Sequence, residues 1–328
     1  MTALRILTVL RTVTIHCAVL ASLATGCKKS TPPPADPAAA SPAAAPAPAA
    51  APEPAAATPA EPPAAATEAS ADAPPADPAK NGWGLAPRGT AAKEGDRVYV
   101  LTQGKDRSYT NASAIYHLFA HEMGEVRGDD LTIRELGGGS FKTTGLFVIP
   151  GGVAKLDDLK AGDMVLAEWA SSLKHATVVK VEAPDRVHVR YTDLPHTWGD
   201  DKLVAVKTLH EVTKQKEGLA PGNFAVAQDD GRPILVLLVA EAGDQWLALR
   251  FNWRASAFAT KDLTPIPLAP KLKVGQAVQA PWVGMMYSGK VKAVAGTRVD
   301  TVLEGIATTE PVVTSLGQVL PVVAAKGK

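Results

Sequence analysis

The chain repeats itself, and that limits its possible folds more than any other feature. Leu159-Lys-Ala-Gly-Asp-Met-Val-Leu-Ala-Glu-Trp169 returns as Leu272-Lys-Val-Gly-Gln-Ala-Val-Gln-Ala-Pro-Trp282, without a gap and identical at Leu, Lys, Gly, Val, Ala and Trp. After each tryptophan comes a further strand pair: Val179 to Tyr191 parallels Val291 to Leu303, with Arg186-Val187 opposite Arg298-Val299. A second set of matches interleaves with the first. Phe141, Leu146 and Ile149-Pro150 parallel Phe258, Leu263 and Ile266-Pro267 at the same internal spacing. Looser copies of the Gly-x-x-Val-x-Ala opening stand at Gly95 and Gly222. Self-similarity of this kind means small supersecondary units that bury their apolar faces on one another.

The units number four: residues 81–151, 152–216, 217–269 and 270–328. At the tryptophan position they read Thr102, Trp169, Asp229 and Trp282, an ABAB order that a two-unit block, duplicated once, would produce. Units of this size are marginal as independent cores, so neighbours are expected to pack in pairs. Within them, short runs such as Arg97-Val-Tyr-Val-Leu101, Val187-His-Val-Arg-Tyr191 and Trp246-Leu-Ala-Leu-Arg250 alternate between glycine and Asp-Gly turns. No long stretch keeps a 3.6-residue period, so the fold class is all-β.

The opening Gly-x-x-Val-x-Ala-x-Trp, a hairpin, and then Val-x-Val-x-Tyr-x-Asp resemble the Tudor or agenet branch of SH3-like barrels. In the second unit the resemblance rests on Val165, Ala167, Trp169, Val187, Val189, Tyr191 and Asp193. In the fourth it rests on Val278, Ala280, Trp282, Tyr287, Val299 and Gly305, with Leu303 in the place of Tyr191. The resemblance implies tandem SH3-like barrels acting as binding modules, with Trp169 and Tyr191, and Trp282 and Tyr287, as walls of aromatic cages for a methylated cation. The same tryptophans can instead plug the barrels or the joints between them. Trp198, in the loop Pro195-His-Thr-Trp-Gly199, is a candidate exposed aromatic, and His175 and His196 could join it in a small polar and aromatic site.

All 17 aromatic residues lie from Trp83 onward, so the segment before it is made of other material. Residues 31–80 hold 23 alanines and 15 prolines and nothing aliphatic larger than alanine. Such a stretch cannot bury enough surface to offset chain entropy, and its prolines favour extended polyproline stretches. Residues 27–80 read as a disordered linker. Residues 1–26 read as a secretory signal peptide: Arg5 and Arg11 precede the apolar run Thr12 to Ala24, which is too short for an uncleaved span. Its end, Leu23-Ala24-Thr25-Gly26-Cys27, resembles the lipobox of bacterial lipoprotein precursors, with Ala24 where leucine is usual. That resemblance implies acyl chains on Cys27, a membrane anchor, and, with Lys28 following, the outer rather than the inner membrane of the cell envelope.

Composition excludes other classes. A net charge of +1 gives no footprint for nucleic acid, and two cysteines build neither a disulfide framework nor a four-thiolate zinc site. No motif asks for a cofactor. His117-Leu-Phe-Ala-His121 puts two imidazoles four residues apart with Asp129 and Asp130 nearby, which is the one metal-like arrangement; histidine and acidic side chains in a solvated loop are the simpler explanation. Three functions follow as expectations. The first is a non-enzymatic, lipid-anchored envelope protein that binds a peptide, a protein or a cell-wall glycan. The second is a metal-dependent hydrolase centred on His117 and His121. The third is a structural envelope scaffold.

Overall fold

The structure is a computed structural model and describes residues 80–103, 109–152, 155–192, 204–308 and 310–322. Contacts divide the chain into residues 1–67 and residues 68–328, and everything described belongs to the second unit. The signal segment, Cys27, nearly all of the linker, His196 and Trp198 lie outside the described residues.

The described residues form twenty strands and no α-helix, so the fold is all-β. A first group contains β1 (Arg97–Thr102), β2 (His117–Arg127), β3 (Asp130–Arg134), β4 (Ser140–Thr143) and β5 (Val148–Pro150). A second contains β6 (Met164–Trp169), β7 (Ser172–Glu182), β8 (Arg186–Tyr191), β9 (Val204–Thr208) and β10 (Val212–Lys214). The third is β11 (Phe224–Asp229), β12 (Arg232–Ala242), β13 (Gln245–Arg250), β14 (Ala255–Ala259) and β15 (Leu263–Pro265). The fourth is β16 (Ala277–Trp282), β17 (Met285–Ala295), β18 (Arg298–Leu303), β19 (Val312–Ser315) and β20 (Leu320–Pro321).

Every group pairs alike: first strand with second, second with third, third with fourth, and fifth back onto first, all antiparallel. The second strand is always 11 residues long and carries a register shift just after its seventh residue, at Met123, Val178, Leu238 and Val291. A bulge there bends the strand so that its two halves serve different neighbours. The opening glycine explains why the bulge is placed so regularly. Gly95, Gly162, Gly222 and Gly275 all sit at positive φ, and each donates its N–H to the carbonyl of that same seventh residue.

Two expectations need correction. No ladder joins the fourth strand to the fifth, so among the described residues each group is a strongly bent open sheet and not a closed barrel. The chain passes between these strands through a three-residue 3-10 turn, as at Gly145–Phe147 and Thr260–Asp262, which carries the fifth strand across to the first instead of folding back as a hairpin. The second correction concerns the match of Phe141, Leu146 and Ile149-Pro150 with Phe258, Leu263 and Ile266-Pro267. By pairing, Val148 faces Val100 as Leu263 faces Ala227, and Pro150 faces Val98 as Pro265 faces Ala225. The sequence match is therefore two residues out of step. A slip of two leaves every side chain on its own face, so apolar alternation cannot detect it.

The groups join through repeated contacts. The turn between β6 and β7 docks on β2, where the Ala120 N–H donates to the Ser171 carbonyl at 2.7 Å and Phe119 pairs with Ser172. The turn between β16 and β17 docks on β12 in the same way, with Leu235 donating to Gly284 at 2.9 Å and Ile234 paired with Met285. Each group has its own small core, but the largest buried cluster lies between groups. It takes Tyr99, Tyr116 and Phe147 from the first, Leu166 and Leu173 from the second, and Leu247 and Leu249 from the third. Strands β1 and β13 are consequently buried on both faces: Val98 and Val100, like Trp246 and Ala248, point into their own group, and the residues between them point into the joint.

Candidate functional site

Where the groups meet, a groove of about 370 Å³ opens between β2, β7, β11, β12, β13, the β13–β14 turn and Gln318 of the fourth group. That turn supplies its most exposed rings. Phe251 is 62% exposed and Trp253 48%, although both are large and apolar. Local structure holds them there. The Trp253 N–H donates to the Arg250 carbonyl, Asn252 accepts from the Arg254 N–H through its side chain, and Trp253 adopts φ +63°. A bulky residue in that left-handed region costs about 1–2 kcal/mol, and such strain persists only where the surroundings enforce it. Here the Tyr116 N–H, from the first group, donates to the Trp253 carbonyl at 2.7 Å. Phe251 rests on Gly284, where a Cβ would stand 2.6 Å from the Phe251 Cβ.

His117, at the start of β2, lies beside this turn, its ring 5.4 Å from that of Trp253 and 5.8 Å from that of Phe119. His175 closes the inner end. It is buried, stacks on Phe224 with ring centroids 4.4 Å apart, and its Nε2 lies 2.7 Å from the Gly222 carbonyl, which joins the second group to the third. Ile115 and Val283, both exposed, extend apolar surface beyond the groove from the segments that hold Trp253 and Phe251.

The other candidates fall elsewhere. Trp169 and Tyr191 do meet, edge to face at 5.1 Å, but Tyr191 is 5% exposed and its hydroxyl donates to the Glu168 carbonyl at 2.6 Å. The two rings pack on each other in the second group's core, beside the Arg97–Glu168 ion pair that ties the first two groups together. Burial first, and then the Glu168 carboxylate, push the neighbouring Tyr99 hydroxyl above its ordinary range. In the fourth group Trp282 is partly exposed, while Tyr287 packs half-buried on the core. His121 is buried with its ring edge-on to Phe141, 5.6 Å away. On a strand, four residues separate His117 from His121 by about 13 Å, whereas a helix would have set them one turn apart. Asp129 and Asp130 lie at the far end of β2. Among the described residues no three His, Cys, Asp or Glu side chains gather as a metal site.

Sequence reasoning passed over Phe251 and Trp253. The signal was present: Phe251-Asn-Trp-Arg254 is a break between two alternating runs, and aromatics at such a break face outward unless something covers them.

No family model and no curated protein matches the chain. Among solved structures, the four MBT repeats of Drosophila melanogaster Sfmbt, crystallised with the peptide RHR(me)KVLR, match at 10% identity. The match covers 70% of this chain and 88% of that one, with a TM-score of 0.16. A TM-score that low is insufficient to transfer a fold or a ligand.

Proposed function

We propose that the chain is a non-enzymatic binding protein, anchored by lipid on Cys27 to the bacterial cell envelope, at the outer membrane in preference to the inner. On its Pro/Ala linker it displays four SH3-like units in ABAB order, and at the groove's aromatic rim it takes a peptide, a protein or a cell-wall glycan. The observation that carries the binding role is the pair Phe251 and Trp253, exposed at the mouth of a groove and held there at a conformational cost. Exposed tryptophan and phenylalanine beside a concave surface are the usual anchors of recognition. The ABAB reading is supported by the two equivalent joints, in which the same turn position docks on the same position of the long strand. Anchoring rests on the lipobox-like residues.

The test uses the purified folded part with cell-wall sacculi and with solubilised envelope proteins. Wild type should sediment with the one or capture a defined member of the other, and Trp253→Ala should weaken that interaction at least tenfold while the thermal midpoint changes little. Unchanged affinity for every partner in Trp253→Ala would sink the assignment of the rim. For the anchor, metabolic labelling with a fatty acid should mark wild type and not Cys27→Ser, and equal labelling would remove Cys27 as the acylated residue.

A further inference from the structure

The Pro/Ala segment enters the folded part beside the rim. The Trp83 indole donates to the Ala255 carbonyl at 2.9 Å, two residues past Trp253, and its ring lies 5.5 Å from that of Tyr116, whose N–H holds the Trp253 carbonyl. Just before it, the Gly82 N–H donates to the Tyr109 carbonyl at 2.7 Å, and the Asn81 side chain accepts from the Trp83 and Leu85 N–H groups. These bonds fix the point at which the segment arrives. Two residues of backbone span at most about 7 Å, so that point is close to Trp253. Five to nine places before Trp83 stands the proline cluster Pro74-Pro-Ala-Asp-Pro78. In extended polyproline form, at about 3.1 Å per residue, it can reach roughly 15–28 Å from Trp83.

We propose that this cluster docks on the chain's own rim, with Pro75 and Pro78 against Trp253 and Phe251, so that an external partner must displace it. The inference rests on the rim being a recognition surface and adds what regulates access to it.

Three physical arguments select this occupant. A polyproline helix has three residues per turn, which sets Pro75 and Pro78 on one side, and aromatic-lined surfaces take such a preformed helix at low entropic cost. Proline has no N–H, so the cluster asks few hydrogen bonds of a rim that Ile115 and Val283 extend with exposed apolar surface. Tethering also favours it over a second copy of the chain, since a short flexible connection gives an effective concentration on the order of millimolar. Residues 193–203 also lie outside the described residues, but they depart from the groove's inner end, where the Thr192 N–H donates to the His175 carbonyl at 2.9 Å.

The experiment uses the chain from residue 28 onward, labelled with 5-fluorotryptophan. The fluorine line of Trp253 is assigned by its loss in Trp253→Phe, and relaxation by a soluble nitroxide reports how open that ring is. Wild type is compared with the triple variant Pro74→Gly, Pro75→Gly and Pro78→Gly, and with a control carrying Pro32→Gly, Pro33→Gly and Pro34→Gly. Relaxation of the Trp253 line should rise about twofold or more in the triple variant, as occupancy of half the molecules or more requires, and should not change in the control. Millimolar Ac-Ser-Ala-Asp-Ala-Pro-Pro-Ala-Asp-Pro-Ala-Lys-amide, the sequence of residues 70–80, should restore protection to the triple variant. Circular dichroism of both variants must match wild type; should the triple variant fail to fold, the same peptide cross-linked to wild type through a photoreactive proline analogue at Pro75 should label the β13–β14 turn, and labelling elsewhere would count against the proposal. A Trp253 ring equally open in wild type and triple variant overturns it. So does a ring equally protected in both, which would give the rim to residues 193–203 if protection survives dilution and to a second copy if dilution removes it. An equal rise in the control, or a peptide without effect, overturns it as well. The contrast needs no external partner: a protected rim that captures nothing refutes the proposed function alone, and an open rim that captures a partner refutes this inference alone. Where a partner is captured, it should bind the triple variant about twofold or more tighter than wild type.

Discussion

Asp163 shows what one side chain does at the entrance to a group. It follows the positive-φ Gly162, accepts from the Lys160 backbone N–H at 3.0 Å, and is paired with Lys214 at 2.9 Å. Asp96 and Gln276 make the same backbone bond to Lys93 and Lys273, so the device recurs where the sequence merely reads polar. Burial alone would raise the Asp163 carboxyl, but the Lys214 ammonium and the Lys160 N–H outweigh it and hold the group below its ordinary range. A carboxyl depressed in the folded state stabilises above its unfolded pKa, near 3.9, and that contribution is lost as pH falls through the lower folded value. Asp163→Asn should therefore cost about 1–2 kcal/mol at pH 7, with the deficit closing below about pH 4. Urea denaturation over a pH series measures it, and a deficit independent of pH would show that geometry rather than charge is at work. Tyr191 makes a complementary point. It alternates with Val187 and Val189, and that pattern alone marks it as an inward-facing core residue before any cage is considered.

Strands and their openings were legible because they depend on local patterns. Alternation sets which face is buried, and a glycine at positive φ is needed wherever the chain turns onto the bulge. Three of the four openings stand free: a Cβ at Gly95, Gly162 or Gly275 would meet nothing within 4 Å. At Gly222 it would stand 2.3 Å from a Leu166 methyl, and Leu166 is itself 2% exposed within the joint core. Alanine at the first three should cost about 1–2 kcal/mol for the left-handed backbone. Gly222→Ala should cost a further 1–3 kcal/mol or so from overpacking, partly recovered in the double variant with Leu166→Val. Chemical denaturation of the five variants checks this, and four equal single-variant losses would mean that the second and third groups are not pressed together at that point. The two-residue slip between the first and third groups marks where local pattern stops being informative, since only the ladder opposite a residue distinguishes positions of the same face.

The whole folded part should unfold as one body, because its largest core belongs to no single group. Leu247 and Leu249 of the third group are buried against Tyr116 and Phe147 of the first, and the Trp83 indole donates across the chain to the Ala255 carbonyl at 2.9 Å. Residues 80–216 and 217–322, prepared separately, should each unfold well below the intact chain in a thermal scan and bind a hydrophobic dye, while the intact chain shows a single transition. Two halves as stable as the whole would make the two pairs of groups independent bodies.

The sequence by itself determined the material of each segment, the all-β class, the four openings and the alternating faces, all of which follow from interactions a few residues apart. Only the tertiary structure decided which strands are buried on both faces, that the sheets stay open, and that Trp253 and Phe251, not Tyr191, stand at a groove. Those outcomes depend on contacts between residues far apart in the chain, such as Tyr116 with Trp253, and no periodicity in a single strand records what will later be laid against its other side.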